Sequence, residues 1–360
     1  MKRRWLVASA GLAALLALAA AGACLISGCS SLGYFAQSVS GHVHLLQAAR
    51  PVDAWLHDEA TPTALRERLL LSQRIRDYAI SELKLPDNGS YRRYAELHRA
   101  AAVWNVVAAP ELSLTLKTWC FPVVGCVGYR GYYGKDDAET EAAQLRSRGL
   151  EVSVYGVPAY STLGWMNWAG GDPLLSTFIR YPEGELARLV FHELAHQVAY
   201  ASGDTEFNES FATAVEHLGI ARWLADRASP EARADYERFD ARRRDFQALT
   251  QRFRKRLEAL YASDESDAVK RERKALIMSE LRAEYGAMKA GRWNGYDGYD
   301  AWFARANNAA LGVLAAYTGL APQFERLFEH DGRDFERFYA DVKRLARLPK
   351  DERRATLAGP

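Results

Sequence analysis

Two histidines and a glutamate at residues 192–196 carry the clearest chemistry in this 360-residue chain. The segment reads His192-Glu193-Leu194-Ala195-His196, so on a helix the two histidines lie one turn apart on the same face. Two imidazoles at that spacing can bind one metal ion, and a nearby carboxylate completes a three-residue zinc site with one position open for water. The pattern therefore predicts one Zn²⁺ per chain and a zinc enzyme that hydrolyses peptides.

The residues around this motif predict the helix that carries it. Residues 181–185 contain a proline and two glutamates, which are typical of a helix start. Apolar residues then recur at helical spacing and turn the histidines inward: Leu186, Leu189, Val190 and Leu194. Gly203 is expected to end this helix, and Asp204 or Thr205 to cap the next one.

Two glutamates compete for the role of third ligand. Glu209 and Glu216 are seven residues apart and so share one face of the second helix. On a returning helix, Glu209 falls near the level of His196, and Glu216 near the level of His192. Spacing alone does not choose between them.

The glutamate between the two histidines suits the role of general base. The Glu193 side chain projects about 100° around the helix from His192, which places it beside the metal instead of on it. There it can take a proton from water and pass it to the leaving amine. A further donor for the oxyanion is expected from a later helix, and the candidates are Tyr285, Tyr296 and Tyr299, with Tyr299 preferred.

The second helix closely resembles the ligand helix of the aminopeptidase-N-like zinc enzymes, the gluzincins. The resemblance lies in residues 208–219, Asn-Glu-Ser-Phe-Ala-Thr-Ala-Val-Glu-His-Leu-Gly. It implies that Glu209 binds the metal and that Glu216 lies close by, where it could orient a histidine. The interval between His196 and Glu209 is shorter here than in those enzymes, so the connecting loop must be tighter.

The N-terminus reads as an export signal. Three basic residues at positions 2–4 precede an apolar run, and residues 25–29, Leu-Ile-Ser-Gly-Cys, resemble the bacterial lipobox. We therefore expect a lipoprotein signal peptide at 1–28, lipidation of Cys29, a tether at 29–50 and a peptidase domain at 51–350. Ser30 after the cysteine implies the outer membrane, facing the periplasm. The alternative is an uncleaved anchor, because the apolar run is just long enough to span a bilayer.

This compartment also bears on the remaining cysteines. Of four cysteines, Cys24 leaves with the signal and Cys29 is lipidated, which leaves Cys120 and Cys126. In an oxidising compartment two cysteines six residues apart predict a short disulfide loop.

The rest of the chain predicts a mostly helical α+β fold, zincin-like, with a small sheet before the metal helix. Periodicity favours helices near 57–85, 91–108 and 136–148, and strands at 111–117 and 151–155. An apolar run at 172–179 is expected to form either an edge strand that binds peptide or an internal strand. Residues 222–290 are charge-dense with interleaved signs, which is typical of two long antiparallel helices. The net charge of +2 favours no nucleic-acid partner.

Taken whole, the chain resembles a proteobacterial lipoprotein family of zinc aminopeptidases. The resemblance lies in these segments: Gly28-Cys29, Cys120–Cys126, Tyr129–Tyr132, Ala159–Gly164, Phe191–Gln197, Phe207–Phe211 and Asn307–Ala309. It implies aminopeptidase activity. The acidic Gly-x-Met-Glu-Asn strand by which aminopeptidase-N-like enzymes hold the substrate amine is missing, and Asp172 and Glu216 are the substitutes to consider. A periplasmic zinc endopeptidase and a non-catalytic zinc-binding envelope lipoprotein therefore remain alternatives.

Overall fold

The computed structural model describes residues 29–121, 125–159, 162 and 170–359. The chain divides into two compact units, Met1–Ala48 and Ala49–Pro360. In the first unit the described residues form one helix, α1 (Cys29–Ala48), where the sequence predicted a tether. No proline interrupts this segment before Pro51. None of the described helices combines the length and the apolarity that a membrane crossing requires. The predicted signal peptide lies outside the described residues.

Short strands in the second unit build three small sheets. They are β1 (Ala49–Pro51), β2 (Arg93–Ala95), β3 (Val103–Pro110), β4 (Trp119–Phe121), β5 (Gly125–Val127), β6 (Arg130–Tyr132), β7 (Leu150–Val157) and β8 (Leu174–Leu175). One sheet has the order β1-β2-β8, with β2 and β8 parallel. A second has the antiparallel order β6-β3-β7, and β4 pairs with β5 as a hairpin.

Helices make up most of the second unit. They are α2 (Val52–Leu56), α3 (Thr63–Ser81), α4 (Lys135–Ser147), α5 (Glu183–Ala195), α6 (Thr205–Asp226), α7 (Pro230–Ala262), α8 (Asp267–Ala290), α9 (Asp300–Arg305), α10 (Asn308–Thr318), α11 (Ala321–His330), α12 (Phe335–Ala346) and α13 (Lys350–Ala358). The ends of the predicted helix 136–148 and of the predicted strand 151–155 lie within two residues of the ends of α4 and β7. The mostly helical architecture with small sheets before α5 agrees with the predicted α+β class.

The predicted helix at 91–108 is wrong, and so is the predicted strand at 111–117. The first segment contains β2 and most of β3, while residues 113–118 take no regular structure. β3 lies in the middle of its sheet and is buried on both faces from Val106 to Ala109. A strand buried on both faces reads as a continuous apolar run, which periodicity cannot distinguish from a buried helix.

α6 is the central helix of the core. Phe207 and Phe211 on this helix are fully buried, and both pack against Phe324 of α11, with ring centroids 5.0 and 5.6 Å apart. Phe211 also contacts Phe338 and Tyr339 of α12. The helix that carries the candidate ligand Glu209 near its start is therefore held on several sides by close-packed aromatic rings, which leaves it little freedom to shift.

The C-terminal helix is tied to the start of α6 by buried ion pairs. Arg353 and Arg354 of α13 both donate to the carboxylate of Asp204, which is 2% exposed. Asp204 is also the N-cap of α6, because its side chain accepts a hydrogen bond from the Phe207 N–H. The buried carboxylate of Asp204 thus fixes the beginning of α6 and the position of the C-terminal helix α13 relative to it.

The charge-dense region forms the predicted pair of long helices. α7 and α8 run antiparallel, because Arg252 pairs with Glu284 and Arg256 with Glu280 across them. Residues 222–226, which the prediction included in this pair, belong to α6 instead. The charges lie on solvated faces, while apolar side chains of both helices enter an aromatic cluster that includes Phe246, Phe253 and Leu281.

Candidate metal centre

The two helices that carry the motif run antiparallel and are joined by residues 196–204. His192 lies in the last turn of α5. His196 lies one turn later at the helix end, where its N–H still donates to the His192 carbonyl oxygen at 3.4 Å. Both imidazoles therefore project from the same side of the helix. Glu209 lies near the start of α6 and faces them.

A side chain next to Glu209 locks the connection. Asn208 is buried, its Oδ1 accepts from the Ala201 N–H at 2.8 Å, and its Nδ2 donates to the Ala201 carbonyl at 2.9 Å. Gly203 takes a φ of 73°, a left-handed conformation that glycine adopts at little cost. The cap at Asp204 agrees with the sequence prediction. The predicted stop at Gly203 is wrong, because α5 already ends at Ala195 and Gly203 lies in the connection that follows.

Three potential ligand atoms converge between the helices. His192 Nε2 lies 3.2 Å from His196 Nε2 and 3.4 Å from Glu209 Oε2, and the latter two atoms are 3.7 Å apart. A tetrahedral ion with bonds of 2.0–2.1 Å separates its ligand atoms by about 3.3 Å. These residues could therefore share one zinc-sized ion without rearrangement. Among the described residues, these three side chains form the group that could hold a metal ion.

Glu216 lies behind His192 instead of beside the other ligand atoms. Its Oε2 is 2.9 Å from His192 Nδ1, and its Oε1 accepts a hydrogen bond from Arg188. Because a carboxylate can only accept, Nδ1 must be the protonated nitrogen, which leaves the Nε2 lone pair for a metal. The structure thus separates the two glutamates that spacing left equivalent, as the gluzincin resemblance implied.

The pKa shifts follow from this burial and charge. Burial lowers the pKa of His192, but the carboxylates of Glu209 and Glu216 outweigh it and raise the value to about 10. Burial lowers the pKa of His196 to about 4, so this imidazole is neutral and able to bind a metal. For Glu216, burial raises the pKa, but Arg188 and His192 lower it overall. The surroundings of His192 therefore favour a positive charge, whereas those of His196 favour the neutral imidazole.

Glu193 is half-buried next to the ligand His192. Burial is the main cause that raises the pKa of Glu193 to about 7, with His192 acting in the opposite direction and Glu209 and Asp172 adding to the rise. A carboxylate with a pKa near neutrality is suited to take up and release a proton.

The three tyrosines proposed from the sequence lie in the aromatic cluster of α7, α8 and α9. Tyr285 donates to Asp300 and stacks on Phe303 with a centroid distance of 3.9 Å. Tyr299 stacks on Phe246 at 4.6 Å. Tyr296 lies against the Arg242 guanidinium, whose carbon is 4.1 Å from its ring centre. The described contacts of these tyrosines are thus structural.

A different set of tyrosines lies near the ligand carboxylate. Burial raises the pKa of Tyr129, Tyr155 and Tyr200, and in each case the charge of Glu209 adds to the rise. Glu193 also acts on Tyr129. Tyr200 lies four residues after His196, in the connection between α5 and α6, and this short spacing was its signal in the sequence. Tyr155 lies on β7 and Tyr129 directly precedes β6, so their approach to the centre depends on long-range packing.

The predicted peptide-binding strand at 172–179 is shorter than expected. Strand pairing is limited to Leu174–Leu175, and both residues are at most 1% exposed. Residues 176–180 form turns. β8 lies at the edge of the β1-β2-β8 sheet, as predicted, but its side chains are buried in the core. Peptide binding along this segment stays a prediction.

The two candidates for holding a substrate amine are both engaged. Glu216 bonds to Arg188 and His192. Asp172 is 2% exposed, and both of its carboxylate oxygens accept from the Thr162 N–H, at 3.1 and 3.0 Å. Residues 164–168, Gly-Trp-Met-Asn-Trp, are superficially similar to the missing Gly-x-Met-Glu-Asn motif but lack its glutamate, and they lie outside the described residues.

Cys120 and Cys126 form a disulfide that closes the β4-β5 hairpin. The hairpin rests on the connection between the two metal helices: a Cβ atom added to Gly125 would lie 2.8 Å from the Gly203 nitrogen. Gly125 also has a φ of 78°, so both its conformation and its close approach favour glycine.

Comparison with known proteins agrees with these observations. The family model described as "Putative aminopeptidase" matches residues 33–357. This chain belongs to that family. The family supports a peptidase acting on peptide substrates. No curated protein and no solved structure matches the chain significantly.

Replacing each glutamate tests the two roles that the geometry gives them. Glu209→Ala should abolish stoichiometric zinc binding, because it removes an atom that faces both imidazoles. Glu216→Ala should only weaken zinc binding, by about 10–100-fold, because it removes a partner of one ligand. Elemental analysis and chelator competition measure both effects. The reverse ranking would exchange the two roles.

Proposed function

We propose that this protein is a zinc-dependent aminopeptidase that holds one Zn²⁺ through His192, His196 and Glu209. The observation that carries the proposal is the convergence of Nε2, Nε2 and Oε2 within 3.2–3.7 Å beside Glu193. Two imidazoles and one carboxylate are a typical donor set of catalytic zinc, which keeps its fourth position open. Membership of the aminopeptidase family supports the same conclusion.

The reaction we propose is hydrolysis of a peptide bond. When bound, zinc acidifies water and polarises the scissile carbonyl group. Glu193 takes the proton from the attacking water and delivers it to the leaving amine. The raised pKa of Glu193, which burial causes, suits this double role. His196, neutral because of its burial, and His192, oriented by Glu216, supply lone pairs on the same side.

We propose Tyr129 as the donor to the oxyanion, in place of the tyrosines favoured by the sequence. Burial and the charges of both Glu209 and Glu193 raise its pKa, so the hydroxyl keeps its proton and can donate. Tyr129 directly precedes β6 and packs against the cluster of Val107, Ala109, Ala309 and Val313. This packing would hold the ring in place before a substrate arrives.

The choice of substrate separates the proposed function from its alternatives. An aminopeptidase should cleave peptides with a free amino terminus and leave N-blocked peptides intact, whereas an endopeptidase should cleave both. Glu193→Gln should retain zinc and lose about 10²–10⁴-fold in kcat, because only the proton transfer is removed. Liquid chromatography of the products and elemental analysis give both results. Cleavage of neither peptide by the zinc-loaded protein would support a non-catalytic zinc lipoprotein.

Substitution of the proposed donor has a matched control elsewhere in the fold. Tyr129→Phe should reduce kcat by about 10²–10³-fold with little change in KM or zinc content. Tyr299→Phe removes the same atom from the aromatic cluster and should leave kcat close to that of the unmodified protein. Steady-state kinetics on one peptide distinguish the two variants. Equal losses, or a loss only in Tyr299→Phe, would refute the assignment.

We further propose that lipid on Cys29 attaches the protein to the outer membrane, on its periplasmic side. The proposal rests on the basic and apolar leader that ends in the lipobox-like residues 25–29, followed by Ser30. Cys29→Ala should release the protein from the membrane fraction, which cell fractionation followed by immunoblotting detects. A Cys29→Ala protein that stays in the membrane would favour an uncleaved anchor.

A further inference from the structure

A chain of alternating charges extends from the candidate ligand His192 away from the metal. His192 Nδ1 lies 2.9 Å from Glu216 Oε2, and Arg188 donates to the other oxygen of Glu216. Arg188 Nε also lies 3.2 Å from Glu185, and Arg243 of α7 donates to the same carboxylate. The network thus crosses α6, α5 and α7 and ends on the long helical pair.

Within this network, Arg188 bridges the carboxylates of Glu216 and Glu185. It precedes His192 by one helical turn, so the two side chains share a face of α5. Its side chain is 26% exposed, while those of Glu216 and Glu185 are 5% and 13% exposed. A carboxylate buried to that extent takes its orientation from protein donors, since water cannot reorient it freely. With Oε1 bound by Arg188, Oε2 of Glu216 remains for His192.

We infer that Arg188 is a positioning residue for the metal ligand His192 and acts on it through Glu216. The inference rests on the proposed zinc site. By fixing one oxygen of Glu216, Arg188 fixes the direction from which the other oxygen receives the Nδ1–H of His192. That hydrogen bond in turn sets the ring orientation and presents Nε2 to the metal.

The guanidinium group is suited to this role because of its planar fork. It donates to Glu216 and Glu185 at the same time, from Nη1 and Nε, in a fixed mutual geometry. A lysine ammonium would supply the charge without that geometry. Arg188 also balances the charge of Glu216, so the negative charge of Glu209 is left for the metal.

The long helix α7 supports Arg188 from the outside. Arg243 holds Glu185 and lies 3.5 Å from Asp240. At the same contact, the Tyr236 ring lies so close to Gly184 that a Cβ atom there would be 2.7 Å from Tyr236 Cδ2. α7 therefore packs directly on the turn of α5 that carries Glu185, and Arg243 extends the support of the metal centre to the helical pair.

Zinc affinity of the purified full chain, measured by competition with a chromophoric chelator, tests the inference. Arg188→Met should raise the Kd for zinc by about 10–100-fold. Arg188→Lys should raise this Kd by a smaller factor, because lysine keeps the positive charge but lacks the planar fork. The double variant Arg188→Met/Glu216→Ala should bind zinc no more weakly than Glu216→Ala alone, because Arg188 acts through Glu216. Arg243→Met should cause a smaller loss than Arg188→Met.

Lys274→Met is the matched control, because it removes an ion pair with Glu151 of similar burial, 12% and 23% exposed. It should leave the Kd unchanged. If Arg188→Met fails to fold, as judged by circular dichroism, the same cycle is run with Arg188→Lys. An unchanged Kd in the Arg188 variants, losses that add to that of Glu216→Ala, or an equal loss in Lys274→Met would overturn the inference. Failure of the unmodified protein to bind zinc would instead refute the proposed function, and the inference with it.

Discussion

The structure depends on holding three electron-pair donors close together. Two imidazole nitrogens and a carboxylate oxygen meet within 3.2–3.7 Å, at a place largely shielded from water. Such an arrangement is unfavourable until a positive charge lies among the donors, which is why the carboxylates raise the pKa of His192 to about 10. The surrounding elements can be understood as a frame that prevents the ligand atoms from moving apart. Helices are suited to such a frame, because they fix side chains more precisely than loops do.

That frame draws on distant parts of the chain. The turn between α5 and α6 is closed by Asn208, and its last residue, Asp204, is held by two arginines of the C-terminal helix. On its other side the turn contacts Gly125 of the disulfide-linked hairpin. The segment that determines the distance between His196 and Glu209 is therefore held from the sheet side and from the C-terminus.

The sequence predicted the local parts of this arrangement and missed the non-local ones. The helical spacing of His192 and His196 and the Asp204 cap are local patterns, and both agree with the structure. The predicted stop at Gly203 is wrong, because α5 ends at Ala195. Glu209 and Glu216 were equivalent by spacing because they share a helix face. The contacts of Glu216 with His192 Nδ1 and Arg188 separate them. Tyr155 and Tyr129 lie in and directly before strands of a sheet whose central strand reads as a helix, so their placement could not be predicted from periodicity.

The buried charges behind His192 are better explained by orientation than by stability. Isolating Arg188, Glu216 and Glu185 from water carries a desolvation cost that their mutual attraction often fails to exceed, and apolar replacements of such networks are commonly neutral or stabilising. Stability alone therefore gives no reason for two arginines and two glutamates at this helix contact. A metal ligand does give one, because an imidazole must present one particular nitrogen in one particular direction, and hydrogen bonds impose a direction that apolar contacts cannot. On this view α7 would belong to the proposed metal centre through Arg243 as much as to the core.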